Sequence, residues 1–401
     1  MRQAPKWRRS IPTSRQLRFA VQSHLASRWP SVGQAFNFFP AEATRQDLER
    51  SLTLRWVEES HCSLPDDRTA FLEAFGALEQ ARYPLPITQK GRAEISVYRL
   101  GRCYVLGHSG ATILIHKGLQ LQSLAHNTAK FKRLRTRSIQ GTCINRLGMR
   151  RGHRHYYHFM MDGLFPLIRA LEKLGTWFPK VTLLVRPDLA PFQRAAYARL
   201  LAMFPHVQLE TVADDERIHC DELLHIDEAM NCEYRAPASE RAIETLSGFF
   251  KTAYDLPSTG APRRWLYLSR ADAKIRHILN EAEIIQHLKP FGFEVICPGK
   301  MSHQDQIRVF AEAQLIVGSH GAALSNLVFT QPGQAHVVEL FASDYVQSAY
   351  MWLATLKGQR YTPILCGPSQ THQHFDVPEV AISRLMGVVQ RKVDSQQVPA
   401  G

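Results

Sequence analysis

No stretch of this 401-residue sequence stays apolar for the roughly 18 residues that a membrane-spanning helix requires, and no signal-peptide core follows Met1. The expectation is a soluble chain. Cysteine is scarce and scattered: Cys62, Cys103, Cys143, Cys220, Cys232, Cys297 and Cys366 are odd in number and form no C-x-x-C pair. That pattern excludes a disulfide framework and a thiolate zinc site, and it fits small buried thiols in a reducing compartment. Internal repeats and low-complexity tracts are also missing.

Acidic residues are absent from two long stretches. Residues 1–41 hold seven Lys or Arg and residues 95–161 hold twelve, with no Asp or Glu in either. The net charge is +13, so the rest of the chain is net negative. Such segregation predicts a face that attracts anions, whether lipid headgroups, pyrophosphate, an acidic glycan or nucleic acid. Aromatic side chains are not interleaved within 130–154 as single-strand stacking requires, so no nucleic acid is expected.

What is present is an ordinary globular balance, 45% hydrophobic and 21% charged, in a chain long enough for two domains. Pro, Gly and Ser concentrate in DLPSTGAP (255–262), the best linker. After it, strands over 264–269, 293–297, 314–318, 336–341 and 360–366 alternate with helices over 280–291, 302–313, 322–329 and 344–358. Asn280 and Ser302 stand as N-caps, with Glu283 completing a capping box. Short β-α connections predict a parallel, doubly wound sheet. Before the linker, 95–116 reads as short antiparallel strands and 155–175 as a helix that Pro166 must kink or restart. A β-α-β unit follows over 181–212, then a helix over 237–255. The division is a basic extension (1–90), a first domain (91–254), the linker, a second domain (263–370) and a C-terminal helix with tail (371–401).

Ligands of parallel sheets bind beyond the carboxyl ends of the strands. Here that rule selects Ser269, Arg270 and Arg276, then Lys300, then Gly318 to Asn326, then Glu339 with Ser343. The loop VGSHGAALSN (317–326) lets backbone approach a ligand at Gly318 and Gly321, offers Ser319, His320 and Ser325, and opens a helix near Ala322. Its glycine spacing is not that of a dinucleotide fingerprint and no Walker lysine follows. Arg270 and Arg276 suit pyrophosphate oxygens, and Glu339 suits ribose hydroxyls. In the first domain His155, His158 and Asp162 share a helical face. A metal site is a weak reading of three such residues; the more economical one is a His–Asp pair with Asp162 as general base.

The segments HYYHFMMDGLFPLIRAL, SRADAKIRHILNEAEI and GFEVICPGKMSHQDQIRVFAEAQLIVGSHGAALSNLVFTQPGQAHVVELF together resemble glycosyltransferase family 61, over roughly residues 91–366. The resemblance implies an α/β, GT-B-like fold of two Rossmann-like domains whose parallel sheets face across a cleft. It also implies a nucleotide-sugar donor and inversion by single displacement. Carried over by position, Arg270, Arg276, Asn280, the Ser319–His320–Gly321 loop, Asn326 and Glu339 match the donor side, and His158 with Asp162 match the first-domain signature. His155 stands where the family often has Asn.

The expected activity is therefore inverting glycosyl transfer to a glycan or lipid-linked saccharide, of the capsular-polysaccharide kind. Asp162 and His158 would be catalytic; Arg270, Arg276, Asn280, Lys300, Ser319, His320, Gly321, Ala322, Asn326 and Glu339 would bind the donor. No metal site and no obligatory cofactor is expected. A cytoplasmic location, peripheral to an anionic membrane through the basic stretches, follows from the missing anchor. The alternatives are a polysaccharide pyruvyltransferase and a non-catalytic glycan- or nucleic-acid-binding protein.

Overall fold

The computed structural model describes residues 48–59, 92–115, 119–121, 134–148, 155–227, 239–257, 260–347 and 349–397. The basic stretch 1–41 lies outside them, as do Cys62, Cys232 and parts of the second basic stretch.

The first half is built on a nine-stranded mixed sheet. Its strands are β1 (Leu52–Glu59), β2 (Arg92–Leu100), β3 (Cys103–Leu106), β4 (Thr112–Leu114), β5 (Leu119–Leu121), β6 (Arg135–Asn145), β7 (Val181–Val185), β8 (Val207–Thr211) and β9 (Glu216–Asp227). β9, β6, β7 and β8 run parallel, while β2, β3, β4 and β5 extend the sheet antiparallel and β1 pairs with β2. So the first sheet is parallel only in part. The antiparallel share comprises β1 and the segment 92–121, in which β3, β4 and β5 follow one another with connections too short for a crossover helix. β6 and β9, the two longest of these strands, both escape the sequence reading. The register of β6 against β9 shifts between Ile139 and Thr142, where Gly141 takes a φ of 83° that favours glycine.

Among the described residues, three α-helices accompany this sheet: α1 (Phe165–Leu174), α2 (Pro191–Met203) and α3 (Glu240–Ala253). Pro166 falls in the first turn of α1, directly after the helical segment His158–Leu164, so the helix restarts there. Cys103, Cys143 and Cys220 are fully buried free thiols, and burial first of all pushes Cys103 up to about 12.

The second half is a wholly parallel five-stranded sheet of β10 (Arg264–Leu268), β11 (Glu294–Ile296), β12 (Ala313–Ser319), β13 (His336–Phe341) and β14 (Arg360–Leu365), in the order β11-β10-β12-β13-β14. Around it lie α4 (Glu281–Leu288), α5 (His303–Ala311), a 3-10 helix (Ala322–Phe329), α6 (Ala349–Leu356) and α7 (Glu379–Gln397). The strands are apolar on both faces because both are covered. Tyr267, Leu315, Val317 and Leu340 pack with Ile284 and Leu288 of α4 and Leu385 and Val389 of α7. Leu266, Leu268, Ile316 and Val337 point the other way.

That second face does not close on its own half. Its core runs on through Phe310 and Phe329 to Phe250 of α3, Phe159 and Phe165, and the side chains of β7. The two sheets share one apolar interior, and the segment around Phe159 is held between them.

Candidate active site

The order β11-β10-β12-β13-β14 reverses direction between β10 and β12, so their carboxyl ends part and leave a crevice. Leu268 and Gly318 are register partners at that point. A Cβ on Gly318 would stand 2.9 Å from Cβ of Leu268, so glycine lets the two strands end side by side. The loops 269–280 and 319–321 leave from there.

Both loops are shaped around arginine. A side chain on Gly321 would collide with the Arg270 guanidinium, which rests against that glycine's backbone. Arg270 donates Nη2–H to the carbonyl of Ile275 at 3.1 Å. Arg276 has a φ of 61°, a left-handed conformation that costs a non-glycine residue of order 1 kcal/mol. Its backbone is held there by its N–H, which donates to the carbonyl of His372 at 3.1 Å; His372 and Gln373 are left-handed too, at 59° and 61°. The Arg276 guanidinium lies over the Tyr345 ring, 5.5 Å from its centroid. The Nε atoms of both arginines are buried with no hydrogen-bond partner. Burial, then the neighbouring Arg276, lowers the pKa of Arg270. Two guanidiniums confined together, with no carboxylate ion-paired to either among the described residues, make a site for an anion.

His320 stands beside them, its Nδ1 2.6 Å from Oε1 of Glu339. The hydroxyl of Tyr361 donates to Oε2 of the same carboxyl at 2.5 Å. Glu339 is fully buried. Its ring partner is clamped: Phe341 stacks on His320 at 5.6 Å, Tyr350 lies 5.0 Å away and Tyr345 5.9 Å.

The first half reaches this crevice through residues 155–164. His158–Leu164 winds with the wide turn of a π-helix, the N–H of Phe165 reaching back to the carbonyl of Met160. Such turns concentrate at functional sites. Nδ1 of His158 is 2.5 Å from Oδ2 of Asp162, and both side chains are largely buried. The ring of Tyr157 meets His158 at 5.4 Å and Tyr350 at 5.7 Å. Tyr350 therefore packs against both halves of the site. His155 lies 4.5 Å from His158, ring to ring.

The sequence-selected residues divide. Arg270, Arg276, Ser319, His320, Gly321 and Ala322 gather at the crevice; Ser319 donates its hydroxyl to the carbonyl of Arg276 at 3.4 Å, and Ala322 opens the 3-10 helix. Lys300 is exposed on the turn Pro298–Lys300. Three residues are engaged otherwise than expected. Asn280 does not cap α4: it donates to Glu283 at 2.9 Å and to the carbonyl of Val377 at 2.8 Å, and accepts from the Val377 N–H at 2.9 Å. Asn326 is fully buried, accepting from Tyr156 at 2.7 Å and donating to Gln306 at 2.9 Å. Glu339 has both oxygens occupied inside the core, so ribose hydroxyls cannot reach it. Tyr345, Tyr350 and Tyr361 went unnoticed in the sequence, because an aromatic in an apolar helix or strand reads as core.

Among the described residues no group of three His, Cys, Asp or Glu side chains is arranged to hold a metal ion, and no helix is long and apolar enough to cross a membrane.

Residues 156–338 match the family model Glycosyltransferase 61, which takes in the His158–Asp162 segment, both arginines and the 319–321 loop. The chain is similar to the EGF domain-specific O-linked N-acetylglucosamine transferase of Drosophila melanogaster, 31% identical over 101 residues. That alignment spans 24% of this chain and 19% of the relative's length. Among solved structures, E. coli heptosyltransferase WaaC with ADP aligns over 64% of this chain and 98% of its own, with 11% identity and a TM-score of 0.28.

Proposed function

We propose that this protein is a family 61 glycosyltransferase that moves a sugar from a nucleotide-diphosphate donor to a saccharide hydroxyl with inversion. The observation that carries the reading is the pair of half-buried arginines, Arg270 and Arg276, each with a buried, unpartnered Nε at the divergence of β10 and β12. A leaving diphosphate is the anion such a pair neutralises. The N–H groups of Ala322 and Ala323 precede the first bond of the helix from Ala322, which runs from the Leu324 N–H to the carbonyl of Gly321 at 2.9 Å, and add to the same field.

Across the crevice Asp162 removes the acceptor proton, with His158 holding the carboxylate in place. The acceptor oxygen then attacks the anomeric carbon from the side opposite the diphosphate. The reading requires no divalent ion, since the guanidiniums carry the charge; transfer in excess chelator checks that point. N-acetylglucosamine is the first donor sugar to try, as the Drosophila relative's name carries it. Capsular or other surface polysaccharide is the acceptor setting suggested by the resemblance. The basic stretches 1–41 and 95–161 would then keep the enzyme at an anionic lipid surface on the cytoplasmic side, which liposome co-sedimentation tests.

The decisive test has two arms. Nucleoside diphosphates should raise the thermal midpoint of the wild type. Asp162→Asn should bind them as well while transferring sugar about a hundredfold more slowly or worse. Transfer at the wild-type rate by that variant rules Asp162 out as the base.

A further inference from the structure

Tyr350 packs against both halves of the crevice, yet its hydroxyl completes no hydrogen bond of good geometry among the described residues. Its ring, on α6, meets that of His320 at 5.0 Å and that of Tyr157 edge-on at 5.7 Å, and the residue is only 4% exposed. A buried phenol ordinarily finds a partner. Tyr156, Tyr254, Tyr267 and Tyr361 do so, through Asn326, His303, Glu281 and Glu339.

The polar groups near Tyr350 are unfinished in the same way. Ser325, from the 3-10 helix, is fully buried beside the Tyr350 hydroxyl, and its Oγ has no partner of good geometry. The Nε atoms of Arg270 and Arg276 are buried and unpartnered too. Tyr350 is in electrostatic reach of all three. Burial raises its pKa well above the ordinary phenol range and Glu339 adds to that, while Ser325, Arg276 and Arg270 pull it down. The phenol therefore keeps its proton at any working pH and is a donor.

Unsatisfied buried polar groups destabilise a fold, so several of them around one crevice point to what would satisfy them. A neutral ligand would leave the two guanidiniums uncompensated, whereas an anion with several acceptor oxygens answers the cations and the hydroxyl together. We propose that the Tyr350 hydroxyl is a ligand-binding group that donates to a phosphate oxygen of the donor's diphosphate, with the Ser325 hydroxyl donating to Tyr350 from behind. The inference rests on the reading of the crevice as a diphosphate site. In that chain each hydroxyl polarises the next toward the anion. Because the Tyr350 ring also lies against Tyr157, next in sequence to His158, the same contact sets the diphosphate against the segment that carries Asp162.

The test uses wild type, Tyr350→Phe, Ser325→Ala and the double variant. Each is titrated calorimetrically with UDP, GDP, ADP and dTDP, and its thermal midpoint is measured without ligand. Tyr350→Phe keeps the ring contacts, so its midpoint should hold or rise while affinity for the tightest-binding diphosphate falls about tenfold or more. Ser325→Ala should weaken binding about threefold alone and not at all when combined with Tyr350→Phe, since it acts through that hydroxyl. A midpoint that drops in Tyr350→Phe, or a variant that does not fold, overturns the inference, because the hydroxyl then has a partner inside the protein. Undiminished affinity in Tyr350→Phe overturns it as well, while wild-type binding leaves the diphosphate site standing. An equal loss from Ser325→Ala with and without Tyr350→Phe overturns the chain of hydroxyls. If the wild type binds none of the four diphosphates, the site reading itself fails and this inference with it.

Discussion

The hydroxyl of Tyr156 donates to Oδ1 of Asn326 across 2.7 Å, tying the segment that bears His158 and Asp162 to the helix behind the 319–321 loop. The same oxygen lies 2.8 Å from Nε2 of His303, whose Nδ1 is 2.8 Å from the hydroxyl of Tyr254. With the Tyr156 proton given to Asn326, His303 donates from Nε2; burial keeps the ring neutral, so Nδ1 accepts from Tyr254. Phe192, Phe250 and Phe329 surround its ring. A polar chain thus crosses the apolar seam between the two halves and fixes how far the proposed base stands from the proposed leaving group.

Tyr156→Phe keeps the ring and removes that link. Asn326 Oδ1 and the His303 Nε2–H then lose a partner in a dry site, at a cost of about 1–3 kcal/mol. The urea midpoint should drop accordingly. Transfer should fall while diphosphate affinity holds, because the arginines are anchored elsewhere.

Acid should loosen the same seam. Burial lowers His303 to about 4 from an ordinary 6.5, and burial likewise lowers His225 and His336 to about 4. The unfolded chain binds these protons first, so the stability is fully present above pH 6.5 and is lost as pH falls toward 4. Each histidine contributes a slope of about 1.4 kcal/mol per pH unit in that window, or about 3 kcal/mol across it. Denaturant midpoints at pH 7, 6 and 5 measure the slope, and replacing His303 should make it shallower.

Gly321→Ala separates site geometry from stability. Gly321 has a φ of −178°, extended backbone that alanine adopts without strain, but its new methyl would occupy the Arg270 guanidinium's place. The thermal midpoint should barely move. Diphosphate affinity should fall as far as in Arg270→Ala, about 10- to 100-fold for a lost charge-assisted contact. Calorimetric titration of both variants checks the match.

Arg276→Gly should show the opposite sign in two assays. Glycine accepts the 61° backbone freely, which returns about 1 kcal/mol and offsets the lost contact with Tyr345. The midpoint should hold or rise while diphosphate affinity drops about tenfold or more. Loss of both together would mean that Arg276 is structural.

Local pattern made much of this legible. VTLLV and HVVELF read as strands with the bounds they have, since an apolar run between turn signals can pair only inside a covered sheet. Ser302 caps α5 as its spacing suggests, its hydroxyl accepting from the Asp305 N–H at 3.1 Å. β6 escaped notice because its basic outer half, RTRSIQ, lacks apolar alternation and becomes a strand only through pairing with β9. Glu339 misled for a related reason: a carboxylate two residues from a strand's end looks solvent-facing until β14 and His320 cover it.

By its own order of residues the chain determined the alternation of strands and helices, the parallel second sheet and the loops in which Arg270, Arg276 and His320 stand, because these follow from periodicity, capping and short connections. Only the tertiary structure decided which side chains remain open to a ligand. Asn280, Asn326 and Glu339 found partners 97, 170 and 22 residues away, in Val377, Tyr156 and Tyr361. Arg270 and Arg276 kept an unpartnered Nε each. A hydrogen bond is satisfied by whatever folding brings within 3 Å or so, and no local pattern names that partner.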